Sequence, residues 1–421
     1  MKKKKYLVKI WVEKSSMNII RTSVLYRFGR IILLLFVVVI SLSSLCKNKP
    51  DENYLEPVNV SNNSGRSENP SIAVDSRNTV HLVWNDDTPG NEEIYYAYKP
   101  ANGNWSTPIN ISNTTLDSRF PCIKADRNDN LHLVWQDFSP DGYWRIFYSQ
   151  RPLGGNWSVP ETITGNYMYV VPKITVDDSG DVHLIWKYGG YYPGIRYVIR
   201  TSEGMWGPQV NVIEPIGIQL PSITVDKQRN VHLTWYEFNF DSITGNIFYA
   251  MKLHNGNWLL PENISNTGKA MGDNNIITDN LDAIYCIWKD DSLPYRTSKL
   301  FFRAKRSDGT WTSRCPVCTL YKVFLMTRVA KGPIDELYLF GYGSHKESDK
   351  VYLLYVVKPR DGNWSDTLIC GVMKRDPRDI DFQELVCNNE GRLYFIGIRS
   401  EDIFCIEYKR HLKNSGHIPI N

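Results

Sequence analysis

Along most of this chain the apolar residues come in short runs cut by Asp, Asn, Gly and Pro. The first clear set is Pro70-Ser71-Ile72-Ala73-Val74-Asp75, a polar turn, and then Thr79-Val80-His81-Leu82-Val83-Trp84-Asn85. A variable loop leads to Glu93-Ile94-Tyr95-Tyr96-Ala97-Tyr98, and an Asn102-Gly103 turn leads on to a fourth run at 105–112. Short runs rich in β-branched and aromatic residues and bounded by turn formers predict strands. No segment of the body keeps the roughly 3.6-residue period of a helix. The four runs read as one four-stranded unit.

The unit recurs. Val-His-Leu-Val-Trp ends at Trp84, and close copies end at Trp135, Trp186 and Trp235; Ile-Tyr-Cys-Ile-Trp follows at Trp288. The spacings are 51, 51, 49 and 53 residues. Nine residues before each Trp stands an Asp, at Asp75, Asp126, Asp177, Asp226 and Asp279. Pro70, Pro121, Pro172 and Pro221 precede the first four of these. A second tryptophan follows in each unit, at Trp105, Trp157, Trp206, Trp258, Trp311 and Trp364. A repeat of about 50 residues with four strands has the size of a β-propeller blade.

Two further units have drifted, with Leu337-Tyr338-Leu339-Phe340 and Leu393-Tyr394-Phe395-Ile396 in the second-strand position. The last unit stops after its third strand. Its missing strand lies at the other end: Tyr54-Leu55-Glu56-Pro57-Val58-Asn59-Val60-Ser61 matches the 105–112 run at an offset of 51. The expected fold is therefore all-β, a seven-bladed propeller of four-stranded blades closed by its N-terminal strand, which removes the exposed sheet edges. The repeated His81, His132, His183 and His232 are spread around such a ring, so they are expected to bond to the repeated turn or between blades, not to converge on a metal. The repeated Asp should accept backbone N–H groups in the first turn of each blade.

The Gly-x-Trp turns Gly103-Asn104-Trp105, Gly155-Asn156-Trp157, Gly256-Asn257-Trp258, Gly309-Thr310-Trp311 and Gly362-Asn363-Trp364 resemble the end of the Asp-box of sialidases and related BNR-repeat propellers of the bacterial cell envelope. Arg119-Phe120-Pro121 is similar to the Arg-Ile-Pro element that carries one arginine of the sialidase carboxylate-binding cluster. That resemblance implies an exo-sialidase-like glycoside hydrolase, active or degenerate, as the enzymatic alternative to a binding module.

Charge divides the chain in two. Residues 1–50 hold 11 Lys and Arg against Glu13 alone, so 51–421 carry 38 bases and 44 acids, a formal −6. The basic balance belongs to the N-terminus, which argues against a nucleic-acid partner for the body. Residues 31–45 form an uncharged apolar run preceded by Arg21, Arg27 and Arg30. This is the layout of a signal peptide. Ser43-Ser44-Leu45-Cys46 resembles a lipoprotein box with Cys46 as the lipidated residue. Residues 1–46 are expected to act as a signal peptide or membrane anchor, 47–53 as a linker, and 54–421 as the propeller. The location is then outside the cytoplasm: envelope-anchored, a lipoprotein, or secreted. Among the eight cysteines, Cys315, Cys318 and Cys370 are candidates for one or two disulfides.

Function is expected at the end of the ring where the second-to-third-strand loops and the interblade connections open, because those segments depart from the repeat. Candidate ligand-binding residues there are Arg119, Asp137, Tyr143, Trp144, Arg145, Tyr191, Tyr192, Glu237, Phe238, Asp290 and Arg296. Tyr167 and Tyr169 add to the interblade loops. Aromatic faces beside carboxylates and guanidinium groups suit sugars or a cell-surface protein partner. Arg119, Asp137 and Glu237 are the catalytic candidates. No cofactor or metal is expected, with calcium left open, and the chain is expected to be a monomer.

Overall fold

A computed structural model describes residues 57–408, apart from 168–169, 190–193, 215–216, 240, 271, 292–297, 318–320, 346–350, 361, 365–367 and 373–380. Seven antiparallel sheets of four strands follow one another. Blade 1 comprises Ser67–Val74, Val80–Asp86, Glu93–Lys99 and Ile109–Asn110, in that order from the centre outwards. Blade 2 comprises Ser118–Ala125, Leu131–Phe138, Trp144–Arg151 and Glu161–Tyr167, and blade 3 Val170–Val176, Val182–Tyr188, Gly194–Arg200 and Val210–Ile213. Blades 4, 5 and 6 begin at Ile218, Asn275 and Tyr321. Blade 7 takes Asp381–Cys387, Leu393–Arg399 and Asp402–Tyr408 from the C-terminal part of the chain and Val58–Asn59 from the N-terminal part. Contacts between successive innermost strands run round the ring and close from blade 7 to blade 1. The fold is a seven-bladed β-propeller.

The closure is as the offset of 51 required. Val58 pairs with Cys405 and Asn59 with Phe404. The seam is locked by Asp402, which accepts from Asn59 Nδ2 (2.9 Å) and Ser61 Oγ (3.0 Å). The outermost strand of blade 1 is shorter than the run 105–112 predicted, because only Ile109–Asn110 pairs with the third strand.

Each wedge between blades has its own apolar core. Trp135 packs with Ala73, Val83 and Ile94 of blade 1, and Trp186 with Val134, Ile146 and Tyr148 of blade 2. Trp84 packs with Tyr394, Ile396 and Ile403 of blade 7. These second-strand tryptophans are wholly buried. A large aromatic at one strand position fills the wedge that opens between two radiating sheets. In blades 6 and 7 the corresponding positions are Gly341 and Gly397. The wedge between blades 6 and 7 is filled instead by Phe340 against Phe395, with ring centroids 4.3 Å apart, and that between blades 5 and 6 by Leu339 and Val356 with Ile287 and Leu300.

In blades 1 to 5 the turn after the innermost strand is held by one carboxylate. Asp126 Oδ1 accepts the N–H groups of Asn128 and Asn130, both at 2.8 Å, and Asp75, Asp177 and Asp279 do the same in their blades. The other carboxylate oxygen meets the histidine, at 3.3 Å for His81 and 3.0 Å for His232. The far ring nitrogen of each histidine meets a buried tyrosine hydroxyl, Tyr96, Tyr148, Tyr197 or Tyr249, at 2.7–2.8 Å. The histidines thus bond within their own blade. In blade 5, Tyr285 takes the histidine position and donates directly to Asp279 at 3.1 Å.

Three residues after the turn-holding residue the backbone is left-handed in every blade: Asn78, Asp129, Gly180, Arg229, Asp282, Asp335 and Gly391, with φ from 62° to 89°. Asn, Asp and Gly tolerate that region best, which is why the repeat uses them there. Asp129 also accepts Ser76 N from blade 1 (2.7 Å), Asp282 accepts Lys227 N from blade 4 (2.9 Å), and Asn78 accepts Asn389 N from blade 7 (2.9 Å). Arg229 departs from the pattern and reaches back to Asp177 (2.6 Å) and Asp181 in blade 3.

Cys315 is a free thiol, so the disulfide expected of it does not form, and Cys122, Cys286, Cys387 and Cys405 are free as well. The side chains of Cys318 and Cys370 lie outside the described residues.

Candidate functional site

The opposite end of each second strand carries the divergent residues. Two positions past the tryptophan stand Asp86, Asp137, Tyr188, Glu237 and Asp290 in blades 1 to 5. The first four face the start of the innermost strand, as Ser67 pairs with Asp86 and Ser118 with Asp137, and Asp290 bridges to Ala270 just ahead of that strand. Their surroundings differ blade by blade.

Asp86 is buried and saturated. It accepts from Ser67 Oγ and Asn63 Nδ2 (both 2.6 Å), Thr88 Oγ1 (2.5 Å) and Trp84 Nε1 (3.1 Å). Burial would raise its carboxyl, but these bonds outweigh burial and hold it below the usual range. Asp137 occupies the same place in blade 2 with fewer donors: the Ser118 hydroxyl at 3.3 Å and the Thr114 hydroxyl. Burial pushes it up to about 7, and the neighbouring carboxylates of Glu93 and Asp117 push the same way. Trp135 Nε1, unlike Trp84 Nε1, reaches no partner among the described residues. Glu237 is half-buried and its carboxyl is raised by burial. Asp290 is 1% exposed and is engaged by Arg314 Nη1 (2.5 Å) and Thr267 Oγ1 (3.2 Å).

At the mouth of blade 2 the structure gathers several candidates. Arg119 forms ion pairs with Glu92 and with Asp117 (2.8 Å), and its guanidinium lies over the Trp144 ring, 5.5 Å from the centroid. Trp144 in turn packs on Phe138, with centroids 5.0 Å apart. Tyr143, at the loop tip, is exposed. Arg145 is tied to Asp141 at 2.5 Å. Glu92 connects this group to blade 1 by accepting from Asn85 Nδ2 at 2.8 Å, and burial raises its carboxyl against the opposing pull of Arg119. Asp137 and Arg119 are thus brought to one blade end, while Glu237 and Phe238 lie two blades away at the end of the 231–239 strand.

The innermost strands are bent at this same end. Register shifts between Glu68 and Ser71, Arg119 and Cys122, and Gln219 and Ser222 mark bulges in blades 1, 2 and 4. Asn69, Phe120, Leu220 and Asp273 there have φ of 50° to 53°. Bulges with left-handed residues re-aim side chains and concentrate at functional rims. Between the innermost strands runs a central channel with a cavity of about 470 Å³, lined from all seven blades.

No protein-family profile matches this sequence, and no curated protein does. Solved structures do share the fold. The lectin BP39L of Burkholderia pseudomallei superposes with a TM-score of 0.59 at 11% identity, over 82% of this chain and 96% of its own. An ulvan lyase of a polysaccharide lyase family, solved bound to -[GlcA(1-4)Rha3S]-, superposes at 0.56 and 10% identity, over 83% and 95%. An α-L-arabinanase of Penicillium chrysogenum superposes at 0.51 and 10% identity, over 84% and 98%. At such identities the likeness establishes the propeller architecture.

Tyr191, Tyr192, Arg296, Tyr169 and Cys46 fall outside the described residues. Tyr167, expected in an interblade loop, ends the outermost strand of blade 2 and is buried, with its hydroxyl accepting from Arg196 Nη1 at 2.8 Å. Glu92 and Asp117 were not legible as site residues, because in sequence they are ordinary loop acids. The channel lining was also missed. Its signal was a lysine breaking a small-residue series: Lys124 stands where other blades have Ala73, Thr175 and Thr224, and Lys173 where others have Ser71, Cys122 and Ser222.

Proposed function

We propose that this protein is an exported, envelope-tethered propeller that binds glycans through its loop end. The observation that carries the reading is the blade 2 mouth, where exposed Tyr143 and half-buried Trp144 adjoin the Arg119, Glu92 and Asp117 charges. Sugar rings stack on aromatic faces while their hydroxyls bond to charged groups. A lectin and glycan-active enzymes on the same architecture support the reading. The apolar run at 31–45 and Cys46 support export and tethering. The test is a glycan array probed with the whole chain, followed by Trp144→Ala and Arg119→Ala. Hits weakened at least tenfold by either substitution, with melting unchanged, are expected. Hits indifferent to both would remove the blade 2 mouth from the reading.

A second reading, glycoside hydrolysis, rests on Asp137. A carboxyl with a pKa of about 7 is protonated enough near neutrality to act as a general acid. Incubation of each array hit with the protein, and chromatography for shortened sugars, decides it: cleavage that Asp137→Asn abolishes supports hydrolysis, and intact sugar sinks it.

A further inference from the structure

The body of the chain is acidic, yet its centre is basic. The charged side chains lining the central cavity are Lys124, Lys173, Lys187, Arg328 and Lys331 against Asp273 and Glu384. The two cations of blade 6 are occupied: Arg328 donates to the carbonyls of Gln383 and Thr327, and Lys331 to Asn280 Oδ1 at 3.0 Å. The three lysines of blades 2 and 3 take part in no ion pair among the described residues, and Lys187 has only the neutral Gln219 Oε1, at 2.9 Å. Burial depresses the Lys187 ammonium below its usual range, so charge on it comes at a cost that a bound anion would offset. A second polar group in the cavity is also unmet. Asn274 is buried and donates through Nδ2 to Thr234 Oγ1 at 3.1 Å, while its Oδ1 has no partner among the described residues. A buried acceptor of that kind calls for a donor such as a hydroxyl. The cavity of about 470 Å³ lies within the size range of small-molecule sites.

We infer that the central channel binds the acidic residue of a saccharide, with the Lys124, Lys173 and Lys187 ammonium groups on its carboxylate or sulfate and Asn274 Oδ1 accepting from a sugar hydroxyl. The inference rests on the glycan reading above and narrows it to uronate- or sulfate-bearing sugars. An ammonium is a compact point charge, so it serves either anion without demanding one planar geometry. Three such groups in one cavity give selection by charge, and the loop end supplies the aromatic contacts along the rest of the chain of sugars.

The experiment uses the detergent-solubilised whole chain on an array of oligosaccharides. Each uronate member is paired with its carboxyl-reduced counterpart, and each sulfated member with its desulfated one. Lys124→Met, Lys173→Met and Lys187→Met are tested singly and together, because methionine keeps the apolar stem and removes the charge. The acidic member of a pair is expected to bind at least tenfold more tightly, with affinity falling as salt rises. The combined variant should erase that preference while leaving the neutral member's binding unchanged. Which pairs discriminate assigns carboxylate or sulfate. Equal binding of the two members, or a preference that survives the combined variant, overturns the channel site and leaves the glycan reading standing. Failure of every sugar to bind, from protein that still melts cooperatively, overturns both.

Discussion

The two ends of each second strand follow different rules. At the turn end, His81, His132, His183 and His232 have the same two partners in four blades, an aspartate and a tyrosine hydroxyl. At the loop end, a few residues further along the same strands, Asp86 and Asp137 share a position and little else. One is satisfied by five donors and held below the usual range; the other is buried with only two serine and threonine hydroxyls and pushed up to about 7. Uniform surroundings mark a feature that every blade needs in order to stand. Divergent surroundings on a uniform scaffold mark the end free to acquire specificity.

The largest expected effect tests the turn end. Asp177 is fully buried and accepts from Ser179 N, Asp181 N and Arg229 Nε besides meeting His183. Asp177→Ala leaves those donors facing nothing and should cost about 3–5 kcal/mol, read by urea denaturation. A loss below about 1 kcal/mol would mean that the turn end is ornamental and would break the comparison.

The loop end should give opposite signs for one substitution. Asp86→Asn spoils a carboxylate built around its donors and should cost about 1–3 kcal/mol. Asp137→Asn should stabilise the protein at pH 7 by on the order of 1 kcal/mol or more. The sign follows from its raised folded pKa of about 7. Ionisation of Asp137 begins to penalise folding once pH passes the unfolded carboxylate value, near 4, and the penalty is complete above about 7. The gain should therefore vanish at pH 4, and a gain of equal size at both pH values would refute the assignment.

Acid stability sharpens the turn end further. Burial alone would raise Asp75 and Asp126, but the bonds from the histidine and the turn N–H groups hold both at about 2. Their contribution is full above about pH 4 and is lost as pH falls toward 2. Melting temperature followed across that window should drop, and the drop should shrink in an Asp75→Asn, Asp126→Asn double variant measured against its own value at pH 5.

The smallest effect concerns a drifted blade. In blade 7, Asn388 replaces the turn aspartate, holds Glu390 N and Arg392 N through Oδ1, and leaves Nδ2 without a partner among the described residues. Asn388→Asp places an acceptor at that atom beneath Tyr394, as Asp279 does for Tyr285. A gain of up to about 1 kcal/mol in thermal or urea unfolding is expected. A loss would show that blade 7 has settled into a different turn.

The ring was legible because it is written many times. A tryptophan and an aspartate nine residues before it recur in the first five blades, so chance cannot imitate them, and the offset between the 54–61 and 105–112 runs specified the closing strand. What fills a wedge was less legible. The last two units showed only drifted second strands, and only the packed sheets reveal Phe340 on Phe395 between them. The candidate site was legible only in part. Arg119 and Trp144 stood out as departures from the repeat, but nothing in sequence says that a guanidinium from an innermost strand lies over an indole from a third strand.

By itself, then, the sequence determined the blade, the number of blades and the place where the circle closes, since each depends on local pattern and periodicity. Only the tertiary structure decided which loop acids are ionised, which are buried and whether the channel is basic. Those properties depend on what surrounds a side chain in three dimensions, and residues from blades about 50 positions apart supply those surroundings.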